Sequence, residues 1–195
     1  MERHNLIKSI ILLTFLLSTT LSFSQTKTRL DSIWGKGKCV SGNCQNGVGE
    51  YYIPWMKATY KGDFKDGMFH GQGAMTFPKA LDSRGIMFDP GYYKGGWERG
   101  EKSGYGVQDF GGSDDAILRH VYKGQWKNGL EDGFGRMEDV VNNEWQEGMW
   151  KQGHKIGWFI WYGVEMGNGK LNGFHHFKVY WDYKTRSTKQ IIKLD

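Results

Sequence analysis

The sequence has little of what most catalytic sites are built from. Its 195 residues include only 2 cysteines, 3 prolines and 6 histidines. It contains no phosphate-binding GxxxxGK[ST] loop, no HExxH pair and no GxSxG elbow. These absences exclude the commonest nucleotide, zinc-protease and serine-hydrolase motifs, and we predict that the protein is not an enzyme and holds no cofactor or metal.

The remaining polar residues do not form a catalytic or metal-binding set. His70, His120 and His154 lie in separate segments, and the adjacent His175 and His176 would point to opposite faces of a strand. Acidic residues in two insertions could hold a calcium ion weakly, but we favour solvated loop acids. These residues are Asp82, Asp89, Asp114 and Asp115.

Long apolar runs are also missing, apart from one near the start. Residues 10–21, IILLTFLLSTTL, follow a short basic segment and precede small residues that suit a cleavage site before Gln25. The run is shorter than the ~20 residues that a membrane-spanning helix needs. We therefore expect residues 1–24 to be a removed export signal and the protein to be periplasmic or secreted, with an uncleaved membrane anchor as the alternative.

The two cysteines fit an exported chain. Cys39 and Cys44 lie in GKCVSGNCQNG (residues 37–47), where glycine and asparagine favour a tight turn. The spacing differs from CxxC, so a redox or metal pair is the weaker hypothesis. We predict a disulfide across the end of a hairpin, with free thiols as the alternative.

Excess charge of one sign is small. The formal net charge is +5, from 26 basic and 21 acidic residues interleaved along the chain. This balance does not predict nucleic-acid binding, and it permits contact with anionic lipid or polysaccharide without requiring it.

Glycine, by contrast, is abundant, and its spacing repeats. Segments 60–73 (YKGDFKDGMFHGQG), 93–106 (YKGGWERGEKSGYG) and 122–135 (YKGQWKNGLEDGFG) share one frame. The frame has tyrosine first, glycine third, tryptophan or phenylalanine fifth, and glycine at the eighth, twelfth and fourteenth places. Segment 146–159 is a degenerate copy, and segment 46–54 resembles the second half of one. The repeated positions are Tyr60, Gly62, Phe64, Gly67, Gly71, Gly73, Tyr93, Gly95, Trp97, Gly100, Gly104, Gly106, Tyr122, Gly124, Trp126, Gly129, Gly133, Gly135, Gly148, Trp150, Gly153 and Gly157.

Each copy is predicted to be a β-hairpin. Alternate spacing places Tyr60, Gly62 and Phe64 on one face of a strand. The dipeptides DG and NG strongly favour hairpin turns in the first and third copies. RG and QG in the second and fourth copies are weaker turn signals, because Arg and Gln tolerate a positive φ poorly.

The favoured register has a two-residue turn. It pairs Gly62 with Gly71 and Tyr60 with Gly73, so that a ring lies beside a glycine gap. A three-residue loop with glycine in the left-handed region is the alternative, and it would turn the later glycines to the other face. In either register we predict that the aromatic rings fill a core rather than stack on a ligand.

This frame resembles the MORN (membrane occupation and recognition nexus) repeat. Three copies in this chain match the signature of that repeat at all six places. The resemblance implies an all-β fold, a single-layer curved antiparallel β meander built from successive hairpins. Such an array needs a closing end. The implied segments are an export signal (1–24), a linker (25–36), the repeat array (37–160) and capping strands (161–195). Within the array, full copies lie near 60–77, 93–110 and 122–139, and partial copies lie near 37–53 and 146–161.

Two insertions, residues 78–91 and 111–120, separate the full copies. In a meander, hairpin turns line one rim and connections line the other, so both insertions should share a rim. Inserted loops on a rigid repeat scaffold are where a partner can be recognised. We therefore predict a scaffold or binding module that holds an envelope protein or a second copy of the chain. The candidate partner-binding residues are Asp82, Arg84, Met87, Asp89, Asp114, Asp115, Leu118 and Arg119.

The alternative hypothesis is a weak binder of lipid headgroups or polysaccharide. Lys61, Lys94 and Lys123 follow the tyrosines of the three full copies and should share the face opposite the rings. A basic C-terminal tail could add to this surface, but we favour closing strands over residues 177–183 and 189–194.

Overall fold

The computed structural model describes residues 34–81, 83–113, 119–167 and 170–194. No helix in these ranges is long and apolar enough to cross a membrane. The predicted export signal and most of the predicted linker lie outside the described residues, as do four candidate binding residues, Asp82, Asp114, Asp115 and Leu118.

The described chain is an antiparallel β protein, which confirms the predicted fold class. Twelve of its strands form one open sheet in which each strand pairs with its neighbours along the chain, and three short strands form a separate small sheet. The strands are β1 (Lys38–Gly42), β2 (Gly47–Ile53), β3 (Ala58–Lys65), β4 (Met68–Thr76), β5 (Ala80–Leu81), β6 (Met87–Asp89), β7 (Tyr92–Glu98), β8 (Glu101–Asp109), β9 (Gly112–Ser113), β10 (His120–Lys127), β11 (Leu130–Asp139), β12 (Glu144–Lys151), β13 (His154–Gly167), β14 (Lys170–Asp182) and β15 (Ser187–Lys193), of which β5, β6 and β9 form the small sheet.

The glycine at the eighth place of the repeat closes a two-residue turn in each hairpin. At Asp66-Gly67 both residues have positive φ, 52° and 71°, as a type I′ turn requires. Arg99 and Gln152 adopt the same conformation, with φ of 52° and 48°, although neither side chain favours it. The repeat geometry therefore overrides a poor local preference at these two turns.

The predicted register is wrong beyond the turn, because each hairpin contains a β-bulge. After the first pairs, the second strand gains two residues. Gly62 therefore pairs with Gly73 instead of Gly71, and Tyr60 pairs with Met75. The same shift occurs in the next three hairpins. The glycine at the twelfth place lies in this bulge at positive φ, 70° at Gly104, which explains why glycine recurs there.

The other repeat glycines form a row across the sheet. Each tyrosine ring covers part of this row, since a Cβ on Gly106 would overlap the Tyr93 ring and a Cβ on Gly135 the Tyr122 ring. As predicted, each tyrosine ring lies over a glycine. That glycine is diagonal to the tyrosine on the neighbouring strand, however, and is not its register partner. The row is Gly42, Gly49, Gly62, Gly73, Gly95, Gly106, Gly124, Gly135 and Gly148, and Phe159 ends it.

The aromatic residues of the repeat form a continuous layer on one face, which we call the ring face; the opposite face is the outer face. Tyr93 meets Trp97 of its own copy and Trp126 of the next copy edge to face, with ring centroids 5.1 and 5.3 Å apart. The same alternation extends into both neighbouring copies. These rings are buried, which confirms that they form the core.

Hydrogen bonds join each copy to the one before it. The Trp97 indole N–H donates to the carbonyl of Gly73 at 3.2 Å, and Trp126 and Trp150 repeat this contact in the next copies. At the turns, the Gly100 N–H donates to the carbonyl of Phe69 at 2.9 Å, and the later turns do the same. The copies therefore stack through both backbone and indole contacts.

Both ends of the array carry structure beyond the full repeats. At the N-terminal end, Cys39 and Cys44 form the predicted disulfide, with an S–S distance of 2.04 Å. Trp34, from the segment predicted as a linker, lies on the ring face beside Phe69 and donates its indole N–H to the carbonyl of Gly100 at 2.7 Å. At the C-terminal end, β14 pairs with β15 over the segment predicted to close the array, and β15 is largely exposed.

Candidate functional site

The two insertions lie on the same rim, as predicted, and they also pair with each other. In the small sheet, β6 from the first insertion pairs with β5 on one side and with β9 from the second insertion on the other. The stems are locked backbone to backbone, because a Cβ on Gly91 would overlap the carbonyl of Asp109 and a Cβ on Gly111 that of Asp89. We call this unit, together with the neighbouring turns at 54–57 and 140–143, the insertion rim.

An ion-pair network holds the base of the insertion rim. Arg119 donates to both carboxylate oxygens of the buried Asp109, at 3.2 and 2.7 Å, and lies 3.7 Å from Asp89. Lys79 reaches Asp89 from the other side at 3.3 Å. The Gly91 N–H, with these two cations, lowers the pKa of Asp89, while the bond to Asp109 raises the pKa of Arg119. The charged groups at this base therefore pair with one another.

This network revises what the candidate binding residues can do. Asp89 and Arg119 tie the two insertions together, so their charged groups are engaged within the fold. Met87 lies in β6 and is exposed, and Arg84 is exposed in the loop between β5 and β6, where it makes contacts of its own. Of the described candidates, Met87 is the side chain that the fold leaves open.

Exposed apolar side chains are the feature of the insertion rim that the sequence analysis missed. They belong to both insertions and to the turns that flank them, and Leu81 is 65% exposed and Val140 54%. These exposed residues could have been predicted from the sequence. Apolar residues such as the Val140-Val141 pair occupy turn positions where a solvated turn usually has polar residues. The exposed apolar residues are Trp55, Leu81, Met87, Phe88, Phe110, Val140 and Val141.

The predicted lysine row on the outer face is only partly open. Lys61 and Lys94 are exposed, but Lys123 pairs with Glu138 at 2.6 Å. The neighbouring Arg136 is likewise paired, with Glu147 at 2.6 Å. This alternation of paired cations and anions weakens the outer face as an electrostatic binding surface.

Two lysines lie instead among the rings. The Lys102 amine is 4.9 Å from the ring centroid of Tyr93 and 4.6 Å from that of Trp126, and it donates to Gln108 Oε1 at 2.5 Å. Burial lowers the pKa of Lys102 to about 8, although Glu131 opposes the shift. Lys155 occupies the equivalent place in the last copy, and burial lowers its pKa too.

The described His, Cys, Asp and Glu residues contain no group of three or more that could hold a metal ion. The acidic residue of the insertions that the structure describes, Asp89, is engaged in ion pairs.

Comparison with known proteins agrees with this geometry. The family model of the MORN repeat matches residues 60–79, 93–114 and 122–142. The chain is also similar to an ALS2 C-terminal-like protein from Bos taurus, with 34% identity over 102 residues. That match covers 47% of this chain but only 10% of the relative, so the chain spans about a tenth of that protein's length.

Proposed function

Because residues 60–79, 93–114 and 122–142 are MORN repeats, we propose that this protein is an exported, non-catalytic scaffold that holds another protein at its insertion rim. Repeat arrays present extended surfaces on a rigid framework, and their inserted loops vary without disturbing that framework. The proposal therefore assigns recognition to the insertion rim and support to the ring face.

The observation that carries this proposal is the apolar character of the insertion rim. Seven large apolar side chains of the rim are exposed, while the charges at its base are paired within the fold. A surface that exposes clustered apolar groups beside satisfied charges is typical of protein-binding sites. The partner is thus expected to bring an apolar patch, and it is an envelope protein or a second copy of the chain.

Export is supported by the disulfide. Cys39 and Cys44 are bonded, and such bonds persist in oxidising compartments such as the periplasm and the cell exterior. The apolar run at residues 10–21 is consistent with an export signal. We propose that the scaffold acts outside the cytoplasm.

The test compares a rim variant with a matched control. Affinity capture on the immobilised protein identifies the partner, and the dissociation constant is then measured for the purified pair. Phe88→Ser combined with Val140→Ser removes two exposed apolar groups of the rim and should weaken binding at least tenfold, because about 1.4 kcal/mol of lost contact corresponds to a factor of ten. Leu130→Ser, exposed at the opposite rim, is the control and should bind normally.

An unchanged dissociation constant in the rim variant would refute the proposed site. Equal weakening in the control would show that the loss is not specific to the insertion rim. Light scattering of the purified protein separates a second copy from a foreign partner, since self-association would raise the molar mass of the wild type and not of the rim variant.

A further inference from the structure

A row of hydroxyl-bearing side chains crosses the outer face next to the insertion rim. Tyr52, Thr59 and Thr76 are register partners on β2, β3 and β4, and Tyr92 on β7 continues the row. Register partners on one face of a sheet lie about 4.5–5.5 Å apart. Four adjacent strands therefore place two threonines between two tyrosines in one line.

Three of these residues line a cleft of 460 Å³ together with Lys57, Phe77 and Pro78. The fold fixes the backbone at one of its walls. Lys57 sits at φ 53° in the turn after β2, where its backbone N–H donates to the carbonyl of Pro54 at 3.2 Å. Phe77 packs against the core at the other wall. The volume of this open cleft lies within the range of small-ligand sites.

The lining has a distinctive chemistry. It combines two aromatic rings, three hydroxyl groups and one amine, and it contains no carboxylate. A sugar ring has a C–H face that stacks on an aromatic ring and edge hydroxyls that exchange hydrogen bonds with threonine and tyrosine. The lysine amine donates three hydrogen bonds and adds attraction for an acidic sugar.

We propose that this cleft binds a saccharide, with the Tyr52 ring as the stacking surface and Thr59, Thr76 and Lys57 as hydrogen-bonding groups. The row through Thr76 to Tyr92 gives an extended oligosaccharide a path along the sheet toward the base of the insertion rim. The cleft adjoins the insertion rim, because Lys57 lies in the turn at 54–57 and Pro78 begins the first insertion. It uses none of the seven exposed apolar side chains assigned to partner binding, so separate variants test the two proposals.

The test is a titration of the purified protein followed by two-dimensional amide NMR. The probes are two named oligosaccharides, the hexamer of N-acetylglucosamine, which is neutral, and the hexamer of galacturonic acid, which is acidic. Binding in the cleft predicts saturable shifts at Tyr52, Thr59 and Thr76 with at least one hexamer. A response to the acidic hexamer that is lost in Lys57→Met would assign the amine to the acid group.

The double variant Thr59→Val with Thr76→Val keeps the side-chain shape and removes the two hydroxyls. It should bind about tenfold more weakly, since two neutral hydrogen bonds are lost. Thr188→Val on the edge strand β15, exposed in the folded chain, is the control and should bind as the wild type does. The proposal is overturned if neither hexamer gives saturable shifts at the cleft, if the shifts lie elsewhere, or if the double variant binds as tightly as the control.

Discussion

At the scale of the residue, the tyrosine of each repeat combines three contacts in one side chain. The flat ring of Tyr93 lies over Gly95 and Gly106, where a Cβ would collide with it. Its hydroxyl donates to the carbonyl of Gly96 at 2.9 Å, at the bulge. Its edges meet the tryptophans of two successive copies. Glycine and tyrosine therefore recur as one unit, because the ring needs the space that the glycines leave.

Substitution at the glycine row should be far more damaging than substitution at the bulge. A Cβ on Gly95 would collide with the backbone of Gly106 across the strand pair, whereas a Cβ on Gly104 would meet nothing within 4 Å. We expect Gly95→Ala to lower the free energy of unfolding by about 3 kcal/mol through overpacking. Gly104→Ala, with φ at 70°, should lower it by only about 1 kcal/mol.

Urea denaturation followed by tryptophan fluorescence measures both glycine variants. Equal losses in the two would mean that the glycine row is not held by close packing. A larger loss at Gly104 would assign the repeat's glycine requirement to backbone conformation instead.

The half-buried lysine among the rings, Lys102, should make stability depend on pH. The pKa of Lys102 is about 8 in the fold against an ordinary value of 10.5. Between these values the unfolded chain holds the proton that the folded chain has released, so the free energy of unfolding should rise as pH increases from about 8 toward 10. Lys102→Met keeps the apolar stem and should remove the part of this rise that Lys102 contributes.

Denaturation curves at intervals from pH 7 to 9.5 test this prediction. The upper limit avoids the tyrosines, whose pKa values burial raises and whose ionisation in the unfolded chain would lower stability at higher pH. The same pH slope in wild type and variant would show that Lys102 keeps its ordinary pKa.

At the scale of the element, the hairpins could be predicted from the sequence and the bulges could not. The alternation of Tyr60, Gly62 and Phe64 and the glycine at the turn require a hairpin with one aromatic face. A shift of two residues leaves every side chain on the same face, so the sequence pattern is compatible with both registers. The bulge is identified by the positive φ of Gly71 and of the equivalent glycines in the other copies. These backbone angles can be read from the folded structure and not from the sequence.

The pairing between the two insertions could not be predicted from the sequence, for a different reason. Their shared rim follows from the topology of a meander, but the bond between Arg119 and Asp109 joins residues whose partnership no local pattern specifies. Acids and bases in an inserted loop resemble a solvated binding surface until the fold brings them together. The apolar residues of the same loops, such as Phe88, carry the more useful signal.

The turns offer a prediction at this scale, because their sequences differ while their conformations agree. Arg99→Asn would place the favoured Asn-Gly pair in a type I′ turn and should raise the free energy of unfolding by about 0.5–1 kcal/mol. The reverse exchange, Asn128→Arg, should lower it by a similar amount. Thermal denaturation of the two variants measures both changes, and shifts of the same sign would contradict the assigned turn type.

At the scale of the whole molecule, rigidity and recognition are separated. The ring face, the glycine row and the indole hydrogen bonds make the twelve-stranded sheet a continuous support. The insertion rim adds exposed apolar groups along one side of that support. A protein built in this way can hold a partner at the rim without changing the packing of its core.

The most direct measurement of this account is site-specific photo-crosslinking in the cells that make the protein. A benzophenone amino acid replaces Phe88 on the insertion rim or, as the control, Leu130 on the opposite rim; both side chains are exposed in the fold. The account predicts that the probe at position 88 crosslinks to one protein partner and that the probe at position 130 does not. Crosslinking to the same partner from position 130 alone, or from neither position, would contradict recognition at the insertion rim.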